Sequence, residues 1–516
     1  MGYPLLQITL IIEKRGTLMK KWTLICSTLL GLSLVSGAAA AASADTTDSS
    51  NIKSFGTDWL TKTDGSFWIW DYNQSVPTQI PGLTGASASY NGGLAVMEDH
   101  TIKQWSNDYY TPVITVKPVS GLSSIQDVLD WNGTLVADAA GAVYTKVRAD
   151  DSQPQSEVTY TPVTGIDNVA DIEIYTEEYS DSMRYRHLFL KKDGTVWRDN
   201  GELQEFEPIQ NLHDIVHIAE NYALQKAGTV WTWPATFAEK NPPASASAAP
   251  KTALTNIQTL KHEQRSTLAI VKQSRLWFWG GTVTGYSDGW TYADHPDPVL
   301  ITSTRNVKDA FVVEHSLIVQ TLDNKVYSTS VARDAMPANP SFVLLASDIN
   351  NIKNGGRHMI MQKKDGSLWG WGVNKNSELG YGDYEFMHDT PVTVQKPIAV
   401  SLNGENVTLT AGVITRNGQN FVPLRSLFDK LGAEIGFDGT SKLATVTRTN
   451  PSLPALKISV NAKNGQTTLN GQAVTLENKP FTVNGTLYLP LRFISEKLGA
   501  TVEWLPKEER IAITLK

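Results

Sequence analysis

MIMQKKDGSLWGWG, residues 359–372, decides how the rest of the chain is read. Apolar residues alternate on both sides of Asp365-Gly366, so each arm has the period of a β-strand. Asp-Gly supplies the positive-φ residue of a tight hairpin turn. The same frame returns as LTKTDGSFWIW at 60–70 and LFLKKDGTVW at 188–197. Weaker copies end at Trp105, Tyr144, Trp233, Trp279 and Tyr327, which brings the count to eight. A second signal interleaves with the first. A proline followed by β-branched or apolar residues recurs at Pro77, Pro112, Pro162, Pro208, Pro298, Pro340 and Pro391, with Thr252-Ala253-Leu254 in the missing slot. These starts lie about 45 residues apart, the period of a propeller blade built from several short strands.

The copy count favours eight blades, and two spacings of about 35 residues, short for four strands, leave seven open. The first hairpin has no proline-led strand before it, and the last proline-led strand, at 390–394, has no hairpin after it. Joining the two into one blade from both chain ends would remove the exposed sheet edges, and that is the expected ring closure. KKDGSLWGWGVNKNSELGYGD at 363–383 resembles the repeats of the regulator of chromosome condensation family. That family's core runs apolar-x-x-Asp-Gly-x-apolar-Trp-x-Trp-Gly, followed by an Asn-x-x-x-x-Leu-Gly-x-Gly loop. The last copy carries the whole frame, whereas most others lack the Leu-Gly-x-Gly loop. The resemblance covers two thirds of the chain and implies a propeller with a binding face. Eukaryotic members act on a nuclear GTPase and chromatin, which does not suit an exported acidic chain. Secreted bacterial members include protein-binding inhibitors.

Trp-x-Trp at Trp68/Trp70, Trp231/Trp233, Trp277/Trp279 and Trp369/Trp371 puts both rings on one side of a strand. Packing between blades accounts for such pairs; a rim that stacks on sugars or anchors a protein is the alternative. Trp290, Tyr109 and Tyr110 lie outside the hairpins and are the better rim candidates. The low-complexity loop PPASASAAP at 242–250 reads as a flexible insertion between blades.

Beyond residue 396 the pattern changes. FVPLRSLFDKLGAEIGFD at 421–438 matches YLPLRFISEKLGATVEWL at 488–505, an offset of 67 residues. Each copy reads as a strand, a short amphipathic helix (424–431; 491–498) and a glycine C-cap at Gly432 or Gly499. Asn-Gly hairpin turns start at Asn403, Asn417, Asn464, Asn470 and Asn484. The repeated Pro-Leu-Arg…Leu-Gly-Ala frame resembles the stalk domain named after the N-terminal domain of copper amine oxidases, which recurs in envelope proteins of Gram-positive bacteria. Its motif residues here are Pro423, Arg425, Pro490 and Arg492. The arginines read either as clamps for carboxylate or phosphate or as structural partners of the helix start. Amine-oxidase chemistry needs a tyrosine in an Asn-Tyr-Asp/Glu frame and three copper-binding histidines. Asn221-Tyr222 is followed by Ala223, and the nine histidines include no His-x-His pair. No catalytic residue, cofactor or metal site is therefore expected.

The start of the chain reads as an export signal. Lys20-Lys21 precede an apolar run from Trp22 to Val35, and Ala42-Ser43-Ala44 suits signal-peptidase cleavage. Codons for residues 13–16 can spell a ribosome-binding site, which puts the true start at Met19. Residues 1–44 carry four basic side chains and one acid, so their removal moves the net charge from −7 to −10. An acidic chain with no basic stripe argues against nucleic acid as partner. The single cysteine, Cys26, lies within the signal, so the mature chain needs no disulfide.

The expected organisation is a signal at 1–44, a linker at 45–54, a propeller at 55–396 and a duplicated α+β domain at 397–516. The fold class is mainly β, a seven- or eight-bladed propeller followed by the small stalk-like domain. The functional expectation is a non-catalytic protein, secreted or associated with the cell wall. Its propeller recognises an envelope protein or glycan, and no segment spans the membrane after signal cleavage. Two alternatives stand beside it: a polysaccharide-active enzyme with carboxylates on the propeller axis, and a released protein inhibitor.

Overall fold

The computed structural model describes residues 51–107, 114–130, 132–147, 157–237, 246–284, 291–450 and 452–515. Each of the eight hairpins forms the second and third strands of a four-stranded antiparallel blade. The described prolines of the second signal lie in or beside the fourth strand, the outermost of its blade, at positions where a missing N–H leaves no gap in the ladder. The blades span 52–79, 86–120, 127–162, 169–208, 215–250, 257–301, 307–346 and 349–393. Blade 2 fits a short spacing because its strands have only four to six residues. Its fourth strand pairs in parallel with that of blade 3, Val158 opposite Val119, fusing the two blades into one sheet.

One apolar cluster sits at each junction between neighbouring blades, and the series closes on itself. The last of them joins Ile360 and Leu368 of blade 8 to Phe55, Leu60, Trp68 and Trp70 of blade 1. This closure differs from the expected one. Blade 1 takes all four strands from 52–79 and blade 8 all four from 349–393, so neither is assembled from both chain ends. The additional strand is Ile52–Phe55, which pairs with Trp59–Lys62 and moves the start of the propeller back from 55 into the expected linker at 45–54. The loop at 242–250 also needs correction at its end. Ala249–Pro250 is the fourth strand of blade 5, pairing with Thr232 and Trp231.

The C-terminal domain is built around its duplication. The two motif strands, Gln419–Pro423 and Thr486–Pro490, pair antiparallel with Val422 opposite Leu489. Phe421 then faces Pro490 and Pro423 faces Tyr488, so the 67-residue repeat becomes a local twofold through the central pair. Val422 and Leu489 point into a core with Leu427, Phe428, Ile494 and Leu498. Helix α1 (Leu424–Leu427) is shorter than expected and passes into a 3₁₀ turn at Asp429–Leu431. Helix α2 (Leu491–Leu498) fills its expected span. Gly432 and Gly499 cap them in the left-handed region, where a side chain would be strained.

Candidate functional site

The blades converge on their first strands. Val169–Glu178 lies against Ile215–Ala219, which in turn lies against Ile257–Glu263. In five blades this strand opens in one way. Asn168, Asp214, Asn256, Asn306 and Asp348 take φ between +53° and +61°, and each is followed by a buried Ile or Val. The pairing then slips by one residue, and the residue after the slip is Asp171, His217, Thr259, Asp309 or Asn351. Such a bulge turns the next side chain away from the blade core and towards the neighbouring first strands.

The outcome is a lining rich in carboxyls on blades 3 to 6. Asp127 accepts the Val128 and Ile172 N–H groups, both at 2.9 Å, the second from blade 4. Glu220 of blade 5 accepts Thr176 N–H of blade 4 at 3.1 Å, and Glu263 of blade 6 accepts Val312 N–H of blade 7. These acids satisfy strand-edge donors that no neighbouring strand covers. Burial pushes Asp127 up to about 6, with Asp171 adding to the effect. Burial likewise raises Glu173 to about 7, again helped by Asp171, and Glu220 to about 7, helped by Glu173 and Glu178. His217 Nδ1 lies 3.5 Å from Asp171. On the neighbouring first strands of blades 6 and 7 a cation joins the acids, for Lys261 pairs with Asp309 at 2.6 Å and lies 3.9 Å over the Phe311 ring. Among the described residues no group of three or more His, Cys, Asp or Glu is arranged to hold a metal ion.

A second feature lies on blade 6. Opposite Trp279 the fourth strand bulges out through Pro296-Asp297-Pro298, with Val299 paired to Phe278 and His295 to Gly280. A cavity of about 210 Å³ opens there, lined by Phe278, Trp279, His295, Asp297, Val299 and Met336.

The rim candidates Trp290, Tyr109 and Tyr110 fall outside the described residues. All four Trp-x-Trp pairs join the clusters between blades, as the packing reading requires. Pro423 and Pro490 end the motif strands and precede the helices. Arg425 and Arg492 are exposed on those helices, and Arg492 lies 3.9 Å from Glu496. The motif aromatics Phe421 and Tyr488 were not singled out from sequence, yet they carry the contact with the propeller. Together with Ala411, Ile414 and Val483 they bury Val76 of blade 1. The strand alternation that sends Val422 and Leu489 inward was the available signal.

Residues 401–513 match the family model of the copper amine oxidase N-terminal domain. Solved structures similar to the chain include yeast RCC1 (Prp20) bound to Kap60, at 15% identity over 64% of this chain and 83% of that one, TM-score 0.37. Prp20p from Saccharomyces cerevisiae aligns at 14% identity over 67% and 90%, TM-score 0.38. Human WBSCR16 aligns at 15% over 66% and 94%, TM-score 0.39. No curated protein matches the sequence.

Proposed function

We propose that this chain is an exported, non-catalytic binding protein of the bacterial envelope. Its propeller is the recognition head for an envelope protein or glycan, and its C-terminal domain is the attachment module. The observation that carries this reading is the engagement of the axial acids. Both oxygens of Asp127 and one of Glu220 already accept backbone N–H groups, so they serve as braces between blades. Attachment is assigned to the helix side of the C-terminal domain, where Arg425 and Arg492 are exposed. The opposite face, with Phe421 and Tyr488, is covered by the propeller. Export rests on the signal-like segment at 1–44.

Co-sedimentation of residues 45–516 with bacterial envelopes tests the reading. The wild type is expected to pellet, and Arg425→Ala/Arg492→Ala to stay largely in solution. A wild type that stays in solution removes the attachment role and favours a released inhibitor. A second reading, a polysaccharide-active enzyme, draws on the raised Glu173 and Glu220, since carboxyls near neutrality suit acid–base work. Envelope polysaccharide cleaved by the wild type but not by Glu173→Gln/Glu220→Gln would replace the binding proposal with that one.

A further inference from the structure

We propose that the C-terminal domain is the clasp of the propeller ring, tethered to blade 8 and docked on blade 1 across the one junction that no loop spans. Every other pair of neighbouring blades is joined by chain. Backbone bonds repeat at five of those junctions, where the N–H opening a first strand meets a turn carbonyl of the preceding blade. Val169 to Gly141, Ile215 to Gly194, Ile257 to Gly228, Val307 to Ser274 and Ile349 to Asn324 are all 2.9–3.0 Å.

The junction of blades 8 and 1 is made differently. Trp70 Nε1 donates to Glu378 O at 2.9 Å, Ser377 Oγ to Ser75 O at 3.3 Å, and Tyr384 OH to Tyr72 O at 2.6 Å. Acids also gather here at a cost. Burial holds Asp71 well above the usual carboxylate range, and Asp58 and Glu378 push it further. Among the described residues no strand pairs across this junction, and no disulfide is available to lock it.

The C-terminal domain supplies what is missing. Blade 8 ends at Thr393 and the first strand of the domain starts at Ala399, so the tether is short. The domain then reaches blade 1 at two places. Gly412 N–H donates to Thr78 Oγ1 at 2.8 Å, beside the cluster around Val76. Lys62, a blade 1 residue only 2% exposed, pairs with Glu509 at 2.8 Å. The fit is close: a Cβ on Gly412 would lie 2.1 Å from Pro77 O. A tethered domain with a second, non-covalent foothold holds two surfaces together at high effective concentration, and a short tether costs little closure entropy. The clasp does not depend on what the propeller binds.

Hydrogen exchange on residues 45–516 tests this, comparing the wild type with Gly412→Val and with Lys62→Met/Glu509→Gln. Amides of 52–79 and 349–393 should exchange at least about tenfold faster in the variants, while those of 169–301 stay within about twofold. Leu489→Asp, which places a charge in the domain's own core, ensures that the dock is lost in at least one variant. Equal acceleration around the whole ring would overturn the proposal. So would unchanged exchange in blades 1 and 8 once protease cuts 394–398 readily.

Discussion

A relay of three side chains explains why the repeat is spelled Asp-Gly-Ser/Thr-x-Trp. Asp365 Oδ1 accepts both the N–H and the Oγ–H of Ser367, at 2.9 and 2.6 Å, and Ser367 Oγ accepts Trp369 Nε1 at 3.0 Å. Asp64-Ser66-Trp68 and Asp193-Thr195-Trp197 repeat it. The hydroxyl of Ser367 holds the Asp365 carboxyl below its usual range. Asp365→Ala removes two hydrogen bonds in an exposed, solvent-screened turn and should lower stability by about 0.5–1 kcal/mol at neutral pH, read as a urea midpoint. A depressed acid stabilises the fold above its unfolded pKa, so this cost should fade as pH drops through the acid's folded value. Trp70→Ala should cost more, about 3–5 kcal/mol, because it empties a buried site at the ring junction and orphans Glu378 O.

The element that the sequence reading passed over is the first strand of each blade. Its signature, Asn/Asp-Ile/Val-x-x, recurs at 168–171, 214–217, 256–259, 306–309 and 348–351. The signature was present but short, and the bulge breaks the period-two alternation by which strands are recognised. The left-handed residue is the part that cannot be exchanged freely. Asn256→Ala should destabilise by about 1 kcal/mol, whereas Asn256→Gly should be near neutral, compared by thermal or urea unfolding. The hairpins and the α2 span were legible because Asp-Gly and the glycine cap are local signals. Helix α1 ends at Leu427 and gives way to the 3₁₀ turn at Asp429–Leu431, a boundary that the amphipathic pattern does not mark.

The whole molecule adds a pH dependence that no single element has. Glu173 and Glu220 titrate near 7 in the folded chain, against an ordinary 4.5. Below the ordinary value both states hold the proton. Between 4.5 and 7 the unfolded chain releases it while the folded chain keeps it, so this contribution lowers stability as pH rises through that window. Glu173→Gln/Glu220→Gln removes the effect and keeps an acceptor oxygen. Its stability relative to wild type should therefore increase from pH 4.5 to 8, by about 1–3 kcal/mol per group, followed by urea unfolding at each pH. An unchanged difference across that range would mean that the buried acids titrate normally.

Local and periodic features were legible in the amino-acid order alone. The hairpin frame, the proline-marked outer strands, the duplicated C-terminal unit and the Asn-Gly turns all follow from backbone preferences that act over a few residues. Which strands close the ring, which carboxyls meet the neighbouring blades and how Phe421 and Tyr488 dock on Val76 emerge only in three dimensions. These join residues from tens to hundreds of positions apart, and no local preference records which partner each will meet. An isolated carboxyl reads as solvated surface until a neighbouring blade presents an unpaired N–H to it, and an aromatic in a strand reads as core until a second domain covers it.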